Sequence, residues 1–449
     1  MRILIIAHDF PPVNRVASLR PYAWAKYWHQ MGHEIGVLTT RKDAFRAPLD
    51  LQTEYRSLQG VRLEEVPYVP LKSRSFNPHP ESTPPALPPS SIGKSSYQVA
   101  RTWLRRFSEF LGTGSFLYAS SLWIVPALKR AQALYPYWPF EVVVSTFGPP
   151  AAHIIAGALK RQFNIFWVAD YRDLWFGSHL VTAKWPFSWL EQSLEDYVVS
   201  QADLITTVSD PLQSALQQRF PQPVLTIANG FDPEDGEGFP PDPFPSNGKI
   251  RLAYTGLLYP GKQDLSLLWQ AIDRLRAEGF PVADKLEILL YGPDFSSLTP
   301  AIVAHDLQAI VKIAGFVPRS EALQVQRWVD ALIFLDWDVP QVSGILTGKL
   351  FEYLFSGRPI LGIGVTPDTA AGQLLESTRT GFLIGKSVDR MAELLQQLLR
   401  GEGLPYAPDR AVLQQYTRET LARTLLEQIT ERRAEGEFRS QKPGEALNS

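Results

Sequence analysis

Residues 1–39 have the sequence MRILIIAHDFPPVNRVASLRPYAWAKYWHQMGHEIGVLT. The apolar, β-branched run 2–7 predicts a buried parallel strand. Apolar residues then recur at helical spacing through 17–31, and Gly32 stands where a helix end favours a left-handed backbone. The run 33–39 predicts a second strand. Strand, helix and strand within about forty residues indicate a βαβ unit.

The same alternation continues along the chain. Further strands are predicted over 140–145, 165–169, 203–209, 224–228, 250–254, 286–291, 311–314, 331–335 and 359–363. Helical segments separate most of them, so the sequence predicts an α/β protein with two doubly wound Rossmann-like domains. These domains are 1–230, with a flexible Pro-rich insertion over 67–95, and 250–408. The segment 231–249 is rich in Pro, Gly and Asp and is the predicted linker.

Composition excludes several classes of protein. The 449 residues include 44 Lys and Arg against 46 Asp and Glu, a formal net charge of −2, which gives no electrostatic case for nucleic acid as a partner. Cysteine is absent, which excludes disulfides, thiolate metal sites and a Cys nucleophile. No window holds the roughly 18 consecutive apolar residues of a membrane-spanning helix. We therefore expect a cytoplasmic protein.

The most specific polar stretch is SGILTGKLFEYLFSGRPI at 343–360. It predicts a helix with Thr347 near its N-cap and its end at Gly357. Free backbone N–H groups at Thr347 and Gly348, together with Lys349, would suit a diphosphate. Glu352, one turn into the helix, could accept hydrogen bonds from two ribose hydroxyls. The alternative is an ordinary surface helix in which Lys349 and Glu352 form a weak ion pair.

Three further candidates follow predicted strands, where ligands of open α/β sheets bind. Gly256 comes after the strand 250–254 and allows close backbone approach, and Lys262 could reach a leaving phosphate. The alternative for Lys262 is a solvated side chain. His153 lies early in a helix after the strand 140–145 and could touch a substrate hydroxyl, or could be a structural histidine.

Carboxylates follow two other strands. Asp170 and Asp173 flank Arg172, and the three residues either face a cleft or form an internal ion-pair network. Asp336 and Asp338 resemble a paired-carboxylate metal site, but two Asp at a strand end are common, and we expect no metal and no cofactor. The chain lacks the nucleophile elbow, the phosphate-binding loop and the dinucleotide fingerprint, which disfavours hydrolases, ATPases and dehydrogenases.

Taken together, the motifs resemble a bacterial family 4 glycosyltransferase with the GT-B fold over residues 1–428. The matching stretches are 10–12, Arg20, 32–39, 170–175, 202–209, 227–232, 254–256 with Lys262, and 349–352 with 356–360. The resemblance implies two Rossmann-like domains facing a central cleft. It also implies transfer, with retention, of a sugar from a nucleotide-diphosphate sugar to a hydroxyl of a glycan or glycolipid in cell-surface polysaccharide or glycolipid synthesis.

The resemblance also implies roles for single residues. Lys262 would neutralise the leaving diphosphate, Glu352 would bind the ribose, and His153 would lie near the reacting sugar. Gly256, Thr347, Gly348 and Lys349 would complete the donor site. The helix 409–435 would pack back on the N-terminal domain.

Some positions depart from the family pattern. The family helix usually carries two Glu eight positions apart, and Gly344 occupies the first position. Asn14 and Arg15 replace an early Gly-Gly loop, and Leu257 replaces an Arg. Arg15 or Arg20 is a hypothetical source of the missing positive charge. With Asn14, they join Asp170, Arg172 and Asp173 as acceptor or cleft candidates.

Other readings of the same chain remain open. Gly344 favours a non-catalytic nucleotide-sugar-binding or scaffolding member of a polysaccharide assembly complex. A nucleotide-sugar epimerase or a phosphorylase of the same fold is a further alternative. The basic, aromatic segment 98–111 predicts either peripheral contact with the inner face of the plasma membrane or a helix packed on the domain.

Overall fold

The computed structural model describes residues 1–13, 16–41, 58–67, 119–177, 183–236, 241–337 and 346–440. The chain forms two compact units. The first unit is Met1–Thr206 with Leu216–Leu225, and the second is Thr207–Ala215 with Thr226–Ser449. Most of the predicted insertion, the segment 98–111, and the single residues Asn14, Arg15, Asp338 and Gly344 lie outside the described residues.

A seven-stranded sheet carries the first unit. Its strands are β1 (Arg2–Ile6), β2 (Glu34–Thr40), β3 (Arg62–Val66), β4 (Val142–Thr146), β5 (Phe166–Tyr171), β6 (Leu204–Thr207) and β7 (Val224–Thr226). They are ordered β3-β2-β1-β4-β5-β6-β7. The helices around them are α1 (Val16–Gln30), α2 (Ile124–Leu134), α3 (Ala151–Phe163), α4 (Phe187–Val199) and α5 (Asp210–Arg219). Strand β1 runs parallel to both β2 and β4, as the βαβ pattern predicts.

A six-stranded sheet carries the second unit. Its strands are β8 (Ile250–Thr255), β9 (Leu286–Tyr291), β10 (Val311–Gly315), β11 (Ala331–Leu335), β12 (Ile360–Ile363) and β13 (Gly381–Gly385). They are ordered β10-β9-β8-β11-β12-β13, and every neighbouring pair is parallel. The helices are α6 (Ser266–Ala277), α7 (Val282–Lys285), α8 (Thr299–Ala304), α9 (Arg319–Trp328), α10 (Gly348–Ser356), α11 (Ala370–Thr378), α12 (Val388–Leu399), α13 (Arg410–Gln415) and α14 (Arg418–Ser440).

Burial explains why the apolar runs form central strands. All five residues of β4 and of β11 are buried, because helices cover both faces of a parallel sheet. Large aromatic side chains fill the cores, with Trp123 and Trp167 fully buried in the first unit and Trp269 nearly so in the second. The two doubly wound α/β domains predicted from the sequence are confirmed. None of the described helices is long and apolar enough to cross a bilayer.

The sequence missed two edge strands. Strand β3 has the sequence RLEEV, and only two of its five residues are buried. Strand β13 begins and ends with glycine, and only one of its five residues is buried. Neither shows the continuous apolar run that marks a central strand, because an edge strand has a neighbour on one side only.

The prediction of one continuous C-terminal helix over 410–435 is wrong. Helix α13 ends at Gln415 and α14 begins at Arg418. Between them, the Thr417 hydroxyl accepts a hydrogen bond from the backbone N–H of Thr420 at 3.2 Å and so caps α14. Thr417 also forms a bridge with Phe231. The predicted packing of this segment on the N-terminal domain, and the role of 231–249 as a linker, stay predictions.

Gly372, near the start of α11, lies against the loop that follows β12. A Cβ atom built on Gly372 would lie 1.9 Å from the carbonyl oxygen of Thr366. Alanine normally stabilises a helix by about 1 kcal/mol relative to glycine. We expect Gly372→Ala to destabilise the protein instead, by roughly 1–3 kcal/mol, because the backbone must shift. Thermal unfolding measures this as a midpoint several degrees lower.

The matched control is Ser193→Ala on an exposed position of α4. This variant also raises helix propensity but meets no neighbouring backbone, so its midpoint should not fall. A Gly372→Ala protein as stable as the wild type would show that the Thr366 contact is not a constraint.

Candidate functional site

Two glycines pack together at the carboxyl ends of β8 and β9. Gly256 has φ +114°, and its N–H donates to the carbonyl of Tyr291 at 2.7 Å. A Cβ atom on Gly256 would lie 2.8 Å from Cε of Lys349, and one on Gly292 would lie 2.2 Å from the carbonyl oxygen of Gly256. Side chains are therefore excluded at both positions. The sequence identified Gly256, but Gly292 emerges only from this contact.

The loop after Gly256 is tied to strand β11 by Gln263. The Gln263 amide nitrogen donates to the carbonyl of Leu335 at 2.9 Å, and its amide oxygen accepts from the N–H of Tyr259 at 3.2 Å. This fixes the turn that carries Lys262. The Lys262 ammonium lies 5.2 Å from the centroid of the Trp337 ring, just beyond β11. Lys262 is therefore held at the edge of the sheet where ligands of this architecture bind.

Helix α10 begins as the sequence predicts. Thr347 is its N-cap, with an extended backbone, and Gly348 is its first residue. The Thr347 hydroxyl caps no N–H, and its buried oxygen has no hydrogen-bond partner among the described residues. Gly357 ends the helix with φ +76°. Among the described residues, no side chain caps the first N–H groups of α10, which leaves them as donors for an anion.

Lys349 is the second residue of α10. Its ammonium nitrogen lies 3.7 Å from the ring centroid of Tyr254 and 3.4 Å from the carbonyl oxygen of Leu257. Burial lowers the pKa of Lys349 to about 7, although the negative charge of Glu352 opposes this shift. In the part of the chain that the structure describes, Lys349 forms no ion pair. The weak ion pair between Lys349 and Glu352, which was the alternative given from the sequence, is therefore not formed.

Glu352 is bound instead by an arginine that the sequence did not single out. Nε of Arg319 donates to Oε1 of Glu352 at 3.1 Å. The two Nη atoms of Arg319 donate to the two carboxylate oxygens of Asp235 at 2.8 and 2.7 Å. Arg319 and Asp235 lie far from Glu352 in the sequence and belong to no recognisable motif, so only the fold could reveal them.

In the first unit, Asp170 and Arg20 form a buried ion pair. Nη2 of Arg20 donates to Oδ1 of Asp170 at 2.7 Å, and the Asp170 side chain is fully buried. The hydroxyls of Thr146 and Thr206 also donate to Asp170, at 2.9 and 2.8 Å. Among the described residues, Asp170 therefore pairs with Arg20 rather than with Arg172. Arg20 is only 4% exposed, so this pair braces the strand ends, and its contact with an acceptor stays a prediction.

Arg172 and Asp173 follow Asp170 closely along the chain and are more accessible. Nη2 of Arg172 donates to the carbonyl of Phe147 at 2.6 Å and to that of Gly148 at 3.3 Å, which holds the loop after β4. Both Arg172 and Asp173 are partly exposed. Burial lowers the pKa of Arg172, while the carboxylates of Asp9 and Asp173 oppose the shift. Arg172 and Asp173 therefore place partly exposed charge at the carboxyl end of β5.

His153 lies inside the aromatic core of the first unit. It is fully buried, its Nδ1 shares a hydrogen bond of 2.8 Å with the Ser145 hydroxyl, and its Nε2 has no partner among the described residues. Burial lowers the pKa of His153 to about 3. These surroundings suit the structural histidine that the sequence left open. A place near the reacting sugar stays a prediction, without support from the burial of this side chain.

Comparison with known proteins finds one matching family model. The family model described as glycosyltransferase family 4 matches residues 93–235. No curated protein matches the chain significantly.

Solved structures show the same fold at low sequence identity. Sucrose-phosphate synthase from Thermosynechococcus elongatus superposes with a TM-score of 0.55 at 13% identity, covering 98% of each chain. HepE from Anabaena, in complex with UDP, superposes with a TM-score of 0.58 at 13% identity, covering 96% of this chain and 100% of its own. The lipopolysaccharide outer core galactosyltransferase WaaB gives 0.52 at 10% identity, covering 96% and 99%. The chain has the GT-B fold.

The burial of His153 makes stability depend on pH. Its pKa is about 3 in the folded protein and about 6.5 when unfolded, so the unfolded chain binds the extra proton between these values. Stability is therefore lost as pH falls below 6.5. Compared with the wild type, His153→Asn should be less stable at pH 8. This difference should shrink by up to about 1.4 kcal/mol per pH unit below 6.5.

Thermal unfolding of both proteins from pH 8 to pH 5 measures this difference. His305→Gln, at a partly exposed position, serves as the control for general effects of removing a histidine. A difference between wild type and His153→Asn that stays constant over this range would contradict the neutral, buried assignment.

Proposed function

We propose that this glycosyltransferase moves a sugar from a nucleotide-diphosphate sugar to an acceptor hydroxyl with retention, in the synthesis of cell-surface polysaccharide or glycolipid. The observation that carries the proposal is the convergence of Lys349, the Gly256 loop and the uncapped start of α10. HepE, which shares the fold, binds UDP, and WaaB acts on the lipopolysaccharide outer core. The UDP complex of HepE supports a nucleotide donor, and the lipopolysaccharide substrate of WaaB supports a cell-surface product.

The proposed chemistry follows from where charge develops. When the bond between sugar and diphosphate breaks, negative charge grows on the leaving group. Preorganised cations and N–H donors stabilise that charge most strongly. Lys262, Lys349 and the N-terminus of α10 at Gly348 supply them, and Glu352 binds the ribose. With these groups at the diphosphate, we propose that transfer requires neither a metal nor a cofactor.

The acceptor is proposed to bind at the first unit. Arg172 and Asp173 are the partly exposed candidates there, whereas His153 and Asp170 are buried. A glycan or glycolipid presents hydroxyl groups. Asp173 can accept hydrogen bonds from these hydroxyls, and Arg172 can donate hydrogen bonds to them. Location in the cytoplasm and peripheral membrane contact stay predictions, since the segment 98–111 lies outside the described residues.

Substitution of the donor-side residues tests the proposal. Lys262→Ala and Glu352→Ala should each lower kcat/KM at least about tenfold, a loss of about 1.4 kcal/mol of transition-state stabilisation. Lys262→Ala removes positive charge from the leaving diphosphate, and Glu352→Ala removes the ribose acceptor. The donor is first identified with a thermal-shift panel of nucleotide diphosphates and their sugars. Rates are then measured as sugar transfer or as slow hydrolysis of the nucleotide sugar.

Lys285→Ala and Glu393→Ala are matched controls, since both residues are exposed on helices of the second unit. They should keep wild-type rates. Wild-type rates in Lys262→Ala and Glu352→Ala would falsify the site assignment. Tight nucleotide-sugar binding without any turnover by the wild type would instead favour the non-catalytic, scaffolding alternative that Gly344 suggests.

Donor binding is expected to take up a proton above pH 7. Burial holds the pKa of Lys349 at about 7, and the negative charge of a bound diphosphate raises it. The complex then holds a proton that the free protein has lost. Affinity for UDP should therefore fall as pH rises from 7 to 9, by up to about tenfold per unit. Calorimetry at pH 8 in buffers of different ionisation enthalpy measures the uptake.

Lys349→Met keeps much of the side-chain volume but cannot be protonated. It should bind UDP more weakly at pH 7 and show little proton uptake. Lys285→Met, at an exposed position of α7, should keep the wild-type pH dependence. A wild-type affinity for UDP that is unchanged from pH 7 to pH 9 would rule out this role for Lys349.

A further inference from the structure

Arg319 joins three separate segments of the second unit. It is the first residue of α9, Asp235 lies in the 3-10 turn Pro233–Gly236, and Glu352 lies in α10. The bidentate pair with Asp235 uses both Nη atoms, and the bond to Glu352 uses Nε. One planar guanidinium therefore sets the position of both carboxylates.

The hydrogen bond from Arg319 uses only one of the two carboxylate oxygens of Glu352. Oε1 accepts from Arg319, whereas Oε2 has no hydrogen-bond partner among the described residues. The side chains are largely buried, with 17% exposure for Arg319 and 14% for Glu352. Glu352 thus keeps one unoccupied acceptor oxygen on a restrained side chain.

A second cation stabilises the far side of this network. Nη1 of Arg418, at the start of α14, lies 3.7 Å from Oδ2 of Asp235, and the Arg418 side chain is only 6% exposed. Asp235 therefore lies between two guanidinium groups. Because Asp235 is held from both sides, it can anchor Arg319, and Arg319 can in turn anchor Glu352.

We propose that Arg319 is a positioning residue: it fixes Glu352 so that the unoccupied carboxylate oxygen accepts hydrogen bonds from the ribose of the donor nucleotide. This inference rests on the proposed function, in which Glu352 binds the ribose. Without Arg319, Glu352 would adopt other rotamers, and ordering it again on binding would weaken affinity. The loss would fall on recognition of the ribose hydroxyls rather than on the diphosphate.

Discrimination between ribose and deoxyribose gives a readout that a merely structural role would not change. The probes are UDP, ADP and GDP, each paired with its 2′-deoxy form, and calorimetry measures their dissociation constants. The wild type should prefer the ribonucleotide, and Glu352→Gln should lose most of that preference. Arg319→Lys keeps the charge but lacks the planar fork. It should weaken ribonucleotide binding at least about fivefold and lower the preference toward that of Glu352→Gln.

A double variant tests whether Arg319 acts through Glu352. Arg319→Lys combined with Glu352→Gln should bind no more weakly than Glu352→Gln alone, because the positioning effect has already been lost. Arg390→Lys, at an exposed arginine of α12, is the matched control and should keep the wild-type preference. If Arg319→Lys folds poorly, Arg319→Gln, which keeps an N–H donor, is used for the same comparison.

The possible failures can be told apart. If Glu352→Gln loses the ribose preference but the Arg319 variants keep it, the positioning role is overturned and the proposed function stands. The positioning role is also overturned, and the proposed function stands, if the affinity losses of the two single variants multiply in the double variant. If Glu352→Gln keeps the wild-type preference, or if the wild type binds none of the nucleotides, both the proposed function and the role of Arg319 are overturned.

Discussion

The hydrogen bond between Tyr353 and Thr255 is the interaction on which the proposed donor site depends. The Tyr353 hydroxyl accepts from the backbone N–H of Thr255, the last residue of β8, at 2.9 Å, and Tyr353 is fully buried. It joins the middle of α10 to the end of a central strand. The same helix carries Lys349 and Glu352, so this bond sets their height above the sheet. A buried N–H without this partner would be costly.

Around this bond, two lysine side chains lie at one edge of the parallel sheet. In the second unit all neighbouring strands are parallel, so their carboxyl ends and the following loops meet at one edge. Gly256 and Gly292 let two loops pack there without side chains, and Lys262 and Lys349 supply the cations. Placing Lys349 over an aromatic ring costs hydration, which a bound anion would offset. The first unit uses its strand ends differently, with Asp170 neutralised by Arg20 inside the core.

Sequence reasoning succeeded where a local pattern carries the information. The cap at Thr347 and the left-handed end at Gly357 bound α10 as predicted, because capping depends on residues within one turn. It failed where the residues adjacent in the sequence do not indicate the secondary structure. The charged strand β3 lacks an apolar run, and the break between α13 and α14 depends on Thr417 and its bridge to Phe231.

By itself, the sequence determined two parallel α/β units and named most residues of the proposed donor site, because apolar period, glycine and cap signals act locally. Only the tertiary structure decided what each charge does. Glu352 pairs with Arg319 rather than Lys349, and His153 is buried rather than exposed, because partners and burial arise from contacts between distant segments. A glutamate can pair with a lysine or an arginine, and a histidine can be exposed or buried, so residue type alone does not decide. The folded structure is the one in which buried charges are compensated.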